Sequence, residues 1–184
     1  MDVANIFHTL HTSNVDTGVK FEVFEMAKSY EDIISKYNVA MYEDYHDVKA
    51  KVMKIKAMVD AASTIQKVPC HNDSLCENWI YGKDRLYLID WEYAGMNDGL
   101  WDLADVSIEA DYSEANDDLL LASYFGRTPT SVEKHRFIAN KLYLDYLWTL
   151  WGKTRVPFDG QPMEEYALQR YIRLKKNIEI FEKN

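Results

Sequence analysis

One aspartate, Asp73, stands five residues before an asparagine, Asn78, in the segment His71-Asn72-Asp73-Ser74-Leu75-Cys76-Glu77-Asn78. A second, Asp90, follows the apolar run Leu86-Tyr87-Leu88-Ile89. A carboxylate such as Asp73 can accept a hydrogen bond from an alcohol and later take its proton. The carbamoyl oxygen of Asn78 and the carboxylate of Asp90 are hard oxygen ligands that suit magnesium, and the two together can clamp the metal against phosphate groups. The chemistry so outlined is transfer of a phosphoryl group to an alcohol. Taken singly, Asx residues usually cap loops, so it is the set and its spacing that carry the reading. His71 is expected to make a structural hydrogen bond. Cys70, His71 and Cys76 could be imagined on zinc, but no fourth ligand stands at a sensible spacing, and both cysteines are read as packing residues.

The elements that must position these residues are mostly helical. Val3, Ile6, Phe7 and Leu10 recur at helical spacing, and so do Phe24, Ile33, Ile34 and Tyr37. A third amphipathic stretch, about 42–65, puts Tyr45, Val48, Val52, Ile55 and Val59 on one face. Pro69 is expected to stop regular structure, with a loop from Pro69 to Asn78. The runs Trp79-Ile80-Tyr81 and 86–89 then flank Gly82-Lys83-Asp84-Arg85 as a β-hairpin, the only β structure expected. Helices follow near 101–109 and 117–124, the latter closed by Gly126. Thr130 and Glu133 form a capping box that opens a long helix over 131–151. Two glycines and two prolines between Gly152 and Pro162 predict a loop, and a last helix covers about 163–182. Without repeats or a linker, the expectation is a single domain over 1–184, mainly α with a small β-hairpin (α+β).

The composition fits a folded chain: of 184 residues, 47% are hydrophobic and 28% charged. A net charge of −9 argues against nucleic acid or anionic membrane surfaces and suits a cationic small substrate. Arg170, Arg173, Lys175 and Lys176 read as one face of a solvated helix. The apolar stretch from Leu142 to Trp151 is interrupted by Asp145 and is half the length of a membrane span. Two cysteines and no apolar leader point to the cytoplasm.

The order of loop, hairpin and acidic strand end matches the kinase catalytic-loop pattern H-x-D-x-x-x-x-N. Together with Leu88-Ile89-Asp90-Trp91-Glu92-Tyr93-Ala94-Gly95 and Trp101-Asp102-Leu103-Ala104, it resembles the choline and ethanolamine kinases, which belong with the aminoglycoside phosphotransferase-like kinases. The resemblance runs from Leu10-His11 to the last helix. It implies a protein kinase-like C-terminal lobe that transfers the γ-phosphate of ATP to choline, with Asp73 as base, Asn78 and Asp90 on Mg2+, and Asp102 bracing the catalytic loop. It also implies a choline pocket built from Tyr93, Glu109, Trp148, Trp151 and Tyr166. A quaternary ammonium has no N–H to donate, so it must be held by aromatic faces and a nearby carboxylate.

The family's N-terminal lobe, with its glycine-rich phosphate loop and ATP-binding lysine, has no counterpart among these residues, so cofactor-binding residues beyond the metal pair are unassigned. Three readings stay open. The chain could be the C-terminal lobe of a choline kinase, with ethanolamine as the rival substrate. It could be an inactive remnant or choline-binding module. It could be another small-molecule kinase, such as an aminoglycoside-type enzyme, which would not need the two tryptophans.

Overall fold

The computed structural model describes residues 2–62 and 64–183. In chain order the elements are α1 (Asp2–His11), α2 (Val23–Lys36), α3 (Tyr45–Ala62), β1 (Lys67–Cys70), β2 (Trp79–Tyr81), β3 (Leu86–Leu88), β4 (Gly95–Asp98), α4 (Leu100–Glu109), α5 (Glu114–Phe125), α6 (Ser131–Asp159) and α7 (Gln161–Lys183). A short 3-10 turn at Cys76–Asn78 precedes β2. The chain resolves into two compact units, one of residues 1–21 and 64–137, the other of residues 22–63 and 138–184.

Among the described residues, the first unit holds all the β strands. The expected hairpin forms, pairing Trp79 with Leu88, Ile80 with Tyr87 and Tyr81 with Leu86. It is not the only β structure: β1 pairs antiparallel with β4 in the register Lys67–Asp98 to Cys70–Gly95. Pro69 therefore lies inside a strand rather than ending regular structure. The reason lies in its partner Met96, whose N–H donates to Val19 O at 2.7 Å and whose carbonyl accepts from Phe21 N–H at 3.1 Å. Both polar groups of Met96 face away from β1, so the N–H that proline lacks has no bond to make.

α4 is buried along most of its length, from Leu100 through Ile108. Ser113 caps α5 in a reciprocal box with Asn116, and Gly126 closes that helix in the left-handed region at φ 64°. The box predicted before α6 is present too: Glu133 N–H donates to Thr130 Oγ1 at 3.2 Å, and Thr130 N–H donates to the Glu133 carboxylate at 2.7 Å.

In the second unit α6 continues eight residues past the predicted stop at Trp151, through Gly152 and Pro157 to Asp159. Gly152 is required by packing, not by a turn. A Cβ there would lie 2.9 Å from Tyr166 Cδ1 and 3.0 Å from the Cβ of Ala167, so glycine lets α7 approach. Pro157 costs one backbone bond close to the end of a 29-residue helix. The break falls at Gly160, at φ 70°, and Pro162 sits in the first turn of α7, where its missing N–H has no helical partner anyway.

The face of α7 read as solvated is so at Lys176 but not at its two arginines. Arg170 is buried, and Arg173 forks onto the fully buried Asp145 of α6 with contacts of 3.0, 3.0 and 2.7 Å, joined by Asn177 Nδ2 at 3.1 Å. A carboxylate in the middle of an apolar helix must have such partners. Among the described residues, no helix is long and apolar enough to cross a membrane.

Candidate active site

The loop from His71 to Ser74 is buried except at Asp73, which is half-buried. A buried irregular segment must find acceptors for its backbone N–H groups, and side chains supply all four. Asp102, in the first turn of α4, accepts from His71 N–H at 2.9 Å and from Asn72 N–H at 2.8 Å. Asp73 N–H donates to His71 Nδ1 at 3.3 Å. Ser74 N–H donates to Asp105, one turn further along α4.

His71 makes the structural bond expected of it, its Nε2–H donating to Ile89 O at 2.8 Å, which ties the loop to the end of the hairpin. Asn72 is held in the left-handed region at φ 69°. Its amide donates to Tyr93 O at 3.0 Å and accepts from Asn97 Nδ2 at 2.9 Å, while Trp101 Nε1–H donates to its carbonyl at 3.2 Å. Asp73 thus projects from a backbone with little freedom to move.

Asn78 closes the loop by donating from Nδ2 to Asp73 O at 2.9 Å. With the NH2 group committed, Oδ1 is its remaining acceptor. Asp90 lies two residues beyond β3, exposed, at φ 64°. A non-glycine residue there stores about 1 kcal/mol of backbone strain, a pattern common where side-chain placement matters more than stability. Burial pushes the Asp73 carboxyl above its ordinary range. The His71 imidazole opposes that shift, and the Asp90, Glu92 and Glu109 carboxylates add to it. The Tyr93 hydroxyl is raised by burial and then by Glu92, Asp73 and Asp90. Glu109 ends α4, where the helix dipole disfavours a carboxylate. Asn78, Asp90, Tyr93 and Glu109 are therefore gathered in the first unit, each within hydrogen-bonding or electrostatic reach of Asp73.

Oxygen donors from Asn78 and Asp90 beside the Asp73 carboxylate match the preference of a hard divalent cation, so the residues present fit Mg2+. The one His/Cys/Asp group among the described residues that could gather on a metal, His11, Cys70 and Asp102, fits less well. Burial, and then Asp102, pushes the Cys70 thiol well up, so it stays protonated. Both His11 nitrogens and both Asp102 oxygens are already hydrogen-bonded. Cys76 is exposed, against its expected packing role.

The other three predicted residues lie in the second unit and are linked through Trp151. Trp148 and Trp151 meet edge to face at 6.0 Å between centroids, and Trp151 meets Tyr166 at 5.7 Å. The Arg170 guanidinium lies 5.0 Å over the Tyr166 ring, so this ring already serves a cation. An open cleft of about 480 Å³ in the same unit, lined by residues 37–42 with Lys153, Val156, Pro157 and Glu164, includes none of the predicted residues.

Sequence reasoning missed Asp105 and the structural part of His11. Their signal was present: acidic residues at 102 and 105 interrupt an otherwise apolar run, Leu100–Ile108, that could only be buried.

Residues 1–169 match the model of the choline/ethanolamine kinase family. This chain belongs to that family. Protein LicA of Haemophilus influenzae is 30% identical over 178 residues, which cover 91% of this chain and 64% of that protein. A choline/ethanolamine kinase family protein from Mesorhizobium loti superposes with a TM-score of 0.90 at 34% identity, covering 97% of this chain and 61% of the other. The choline kinase LicA from Streptococcus pneumoniae superposes at 0.82 with 31% identity, covering 96% and 62%. The 184 residues thus span under two thirds of the length of these relatives. The fold is the kinase-like one expected, and Asp102 braces the 71–74 loop through the His71 and Asn72 N–H groups.

Proposed function

We propose that this chain supplies the catalytic and amine-binding residues of an ATP-dependent choline kinase. The observation that supports this most directly is Asp73, raised in pKa on a loop whose every N–H is anchored, with Asn78 bonded to its carbonyl and Asp90 nearby. In this reading Asp73 accepts the hydrogen bond of the choline hydroxyl and orients its oxygen toward the γ-phosphorus of ATP. As the new O–P bond forms and the bond to ADP breaks, the hydroxyl proton passes to Asp73, whose raised pKa makes it a better acceptor than an ordinary aspartate. Asn78 and Asp90 would hold Mg2+, which supplies neutralising charge to the phosphates when bound.

Tyr93 and Glu109, and the aromatic trio Trp148, Trp151 and Tyr166, are assigned to the trimethylammonium head on the family resemblance, the trio being supported also by its ring contacts. We treat 1–184 as one functional domain because each compact unit draws on two separate stretches of chain, so neither can be excised as a contiguous piece. A cytoplasmic location follows the supply of ATP.

The test is transfer from Mg-ATP to choline and to ethanolamine, with calorimetric titration of both amines. Choline is expected to bind, and to be phosphorylated where the ATP-holding lobe of the family is also supplied, with Trp148→Ala and Trp151→Ala each weakening binding about 5- to 30-fold, the loss of about 1–2 kcal/mol per aromatic face. Binding without transfer even with that lobe supplied would turn the assignment into an amine-binding module. Transfer to ethanolamine alone, indifferent to both tryptophans, would replace choline as the substrate.

A further inference from the structure

The catalytic loop is anchored by Asp102, but Asp102 is itself held by something outside α4. His11, the last residue of α1, is 6% exposed, and its Nε2 lies 3.0 Å from Asp102 Oδ2. Its Nδ1 lies 2.9 Å from the hydroxyl of Tyr124 on α5. The ring stacks on Phe7 at 5.6 Å and 10° between planes. The fourth side of the ring is bounded by Gly99, where a Cβ would stand 2.7 Å from Nδ1.

The directions of these bonds are fixed by what Asp102 already does. Oδ2 takes the N–H of His71 and Oδ1 takes that of Asn72, so both oxygens are acceptors. Nε2 must then carry a proton and donate. In the neutral ring this makes Nδ1 an acceptor, which the Tyr124 hydroxyl fills by donating.

We propose that Tyr124, His11 and Asp102 form a directed relay that positions the catalytic loop, with His11 as a positioning residue for Asp73. It rests on the reading of Asp73 as the base, but its geometry does not. The carboxylate has to present both oxygens to two successive N–H groups, and a carboxylate held by those two bonds alone could still swing about its Cα–Cβ bond. The third bond, from a ring fixed on three other sides, removes that freedom. Charge-assisted bonds of this type control the order of the groups they hold, and losing one typically changes an opening equilibrium by about tenfold or more.

The test uses the whole 184-residue chain and reads amide hydrogen exchange. His11→Phe keeps the ring and the stack but has no donor. His11→Gln restores an N–H donor in place of Nε2. In His11→Phe the amides of His71 and Asn72 are expected to exchange at least tenfold faster while that of Ser74, held by Asp105, is unchanged; in His11→Gln most of the protection returns. The 15N shifts of His11 are expected to show a protonated Nε2. Where the wild type transfers phosphate, kcat falls about tenfold in His11→Phe with KM for the amine within twofold, and recovers in His11→Gln. Equal protection in all three proteins, parallel loss at Ser74, or a ring protonated at Nδ1 alone would overturn the proposal. A wild-type chain that neither transfers phosphate nor binds choline would refute the kinase assignment and leave the exchange result to decide the relay.

Discussion

Gly99→Ala should destabilise this protein, although replacing a glycine usually does the reverse. Gly99 caps α4 at φ −58° and ψ −22°, a conformation alanine adopts without strain. On backbone grounds alone the change should stabilise by about 0.4–1 kcal/mol, because the unfolded chain loses freedom. The obstacle is His11, since the new methyl would stand 2.7 Å from Nδ1 and 3.2 Å from Cε1 and Cγ. The ring cannot retreat without giving up its bond to the Asp102 carboxylate, about 1.5–3 kcal/mol, and its bond to Tyr124, about 0.5–1.5 kcal/mol. After the entropic gain, about 1–4 kcal/mol of destabilisation remains, a fall in Tm of about 2–16 °C for a chain of this size. Thermal and urea unfolding of four proteins measures it: wild type, Gly99→Ala, His11→Ala and the double variant. In the His11→Ala background the penalty should vanish and the small gain reappear, so the cycle gives a coupling of 1 kcal/mol or more. A Gly99→Ala protein as stable as the wild type, or more stable, would refute the reasoning.

Other consequences follow from the same geometry. Asp73→Asn should abolish transfer yet stabilise the fold. The folded pKa of Asp73 lies above its ordinary 3.8, so the wild type is at its best below that value and loses stability as pH rises through the folded pKa. The gain of the variant should therefore grow with pH in denaturation curves taken from pH 3 to 8, and a pH-independent difference would count against the raised pKa. Asp90→Gly should gain about 1 kcal/mol in urea unfolding by relieving the backbone at φ 64° while losing transfer, and a loss of stability would show that its side chain holds the fold. Gly152→Ala should cost about 1–3 kcal/mol by overpacking against Tyr166 and Ala167, and amine affinity should fall with it if Tyr166 holds the substrate.

The helices were legible wherever their signals are local. The capping box of Thr130 and Glu133 and the left-handed Gly126 depend only on residues a few positions apart. The β1–β4 pair was not legible, because its strands are four residues each, 28 positions apart at the centre, and one contains a proline. Nothing in the sequence near Pro69 tells that Met96 spends its polar groups on Val19 and Phe21. The same holds for α6: Gly152 looks like a breaker in one dimension, and its reason, the approach of Tyr166 and Ala167, exists only once α7 has folded back. Arg170 and Arg173 look solvated until their partner Asp145, 25 and 28 residues earlier, is seen to be buried.

The candidate site shows the same division between what residue type reveals and what burial reveals. Asp73, Asp90, Asp102 and Asp105 are one residue type within 33 positions of chain, and their spacing alone cannot assign their roles. Burial separates them. Asp102 and Asp105 are 0% and 1% exposed, and every bond they make is to the protein, so they cannot meet a substrate. Asp73 and Asp90 reach solvent, so of the four only these two are accessible to a ligand. The two groups require each other. An irregular loop that is buried enough to raise the pKa of Asp73 has lost water as a partner for its own N–H groups, and carboxylates inside the neighbouring helix must replace it. Their cost is visible at Asp105, where burial and Glu109 push the carboxyl well above its usual range and Oδ1 has no hydrogen-bond partner. A pair of acidic residues three apart in an apolar helix, shortly after a loop with candidate catalytic residues, is therefore itself a sign that the loop is held from beneath.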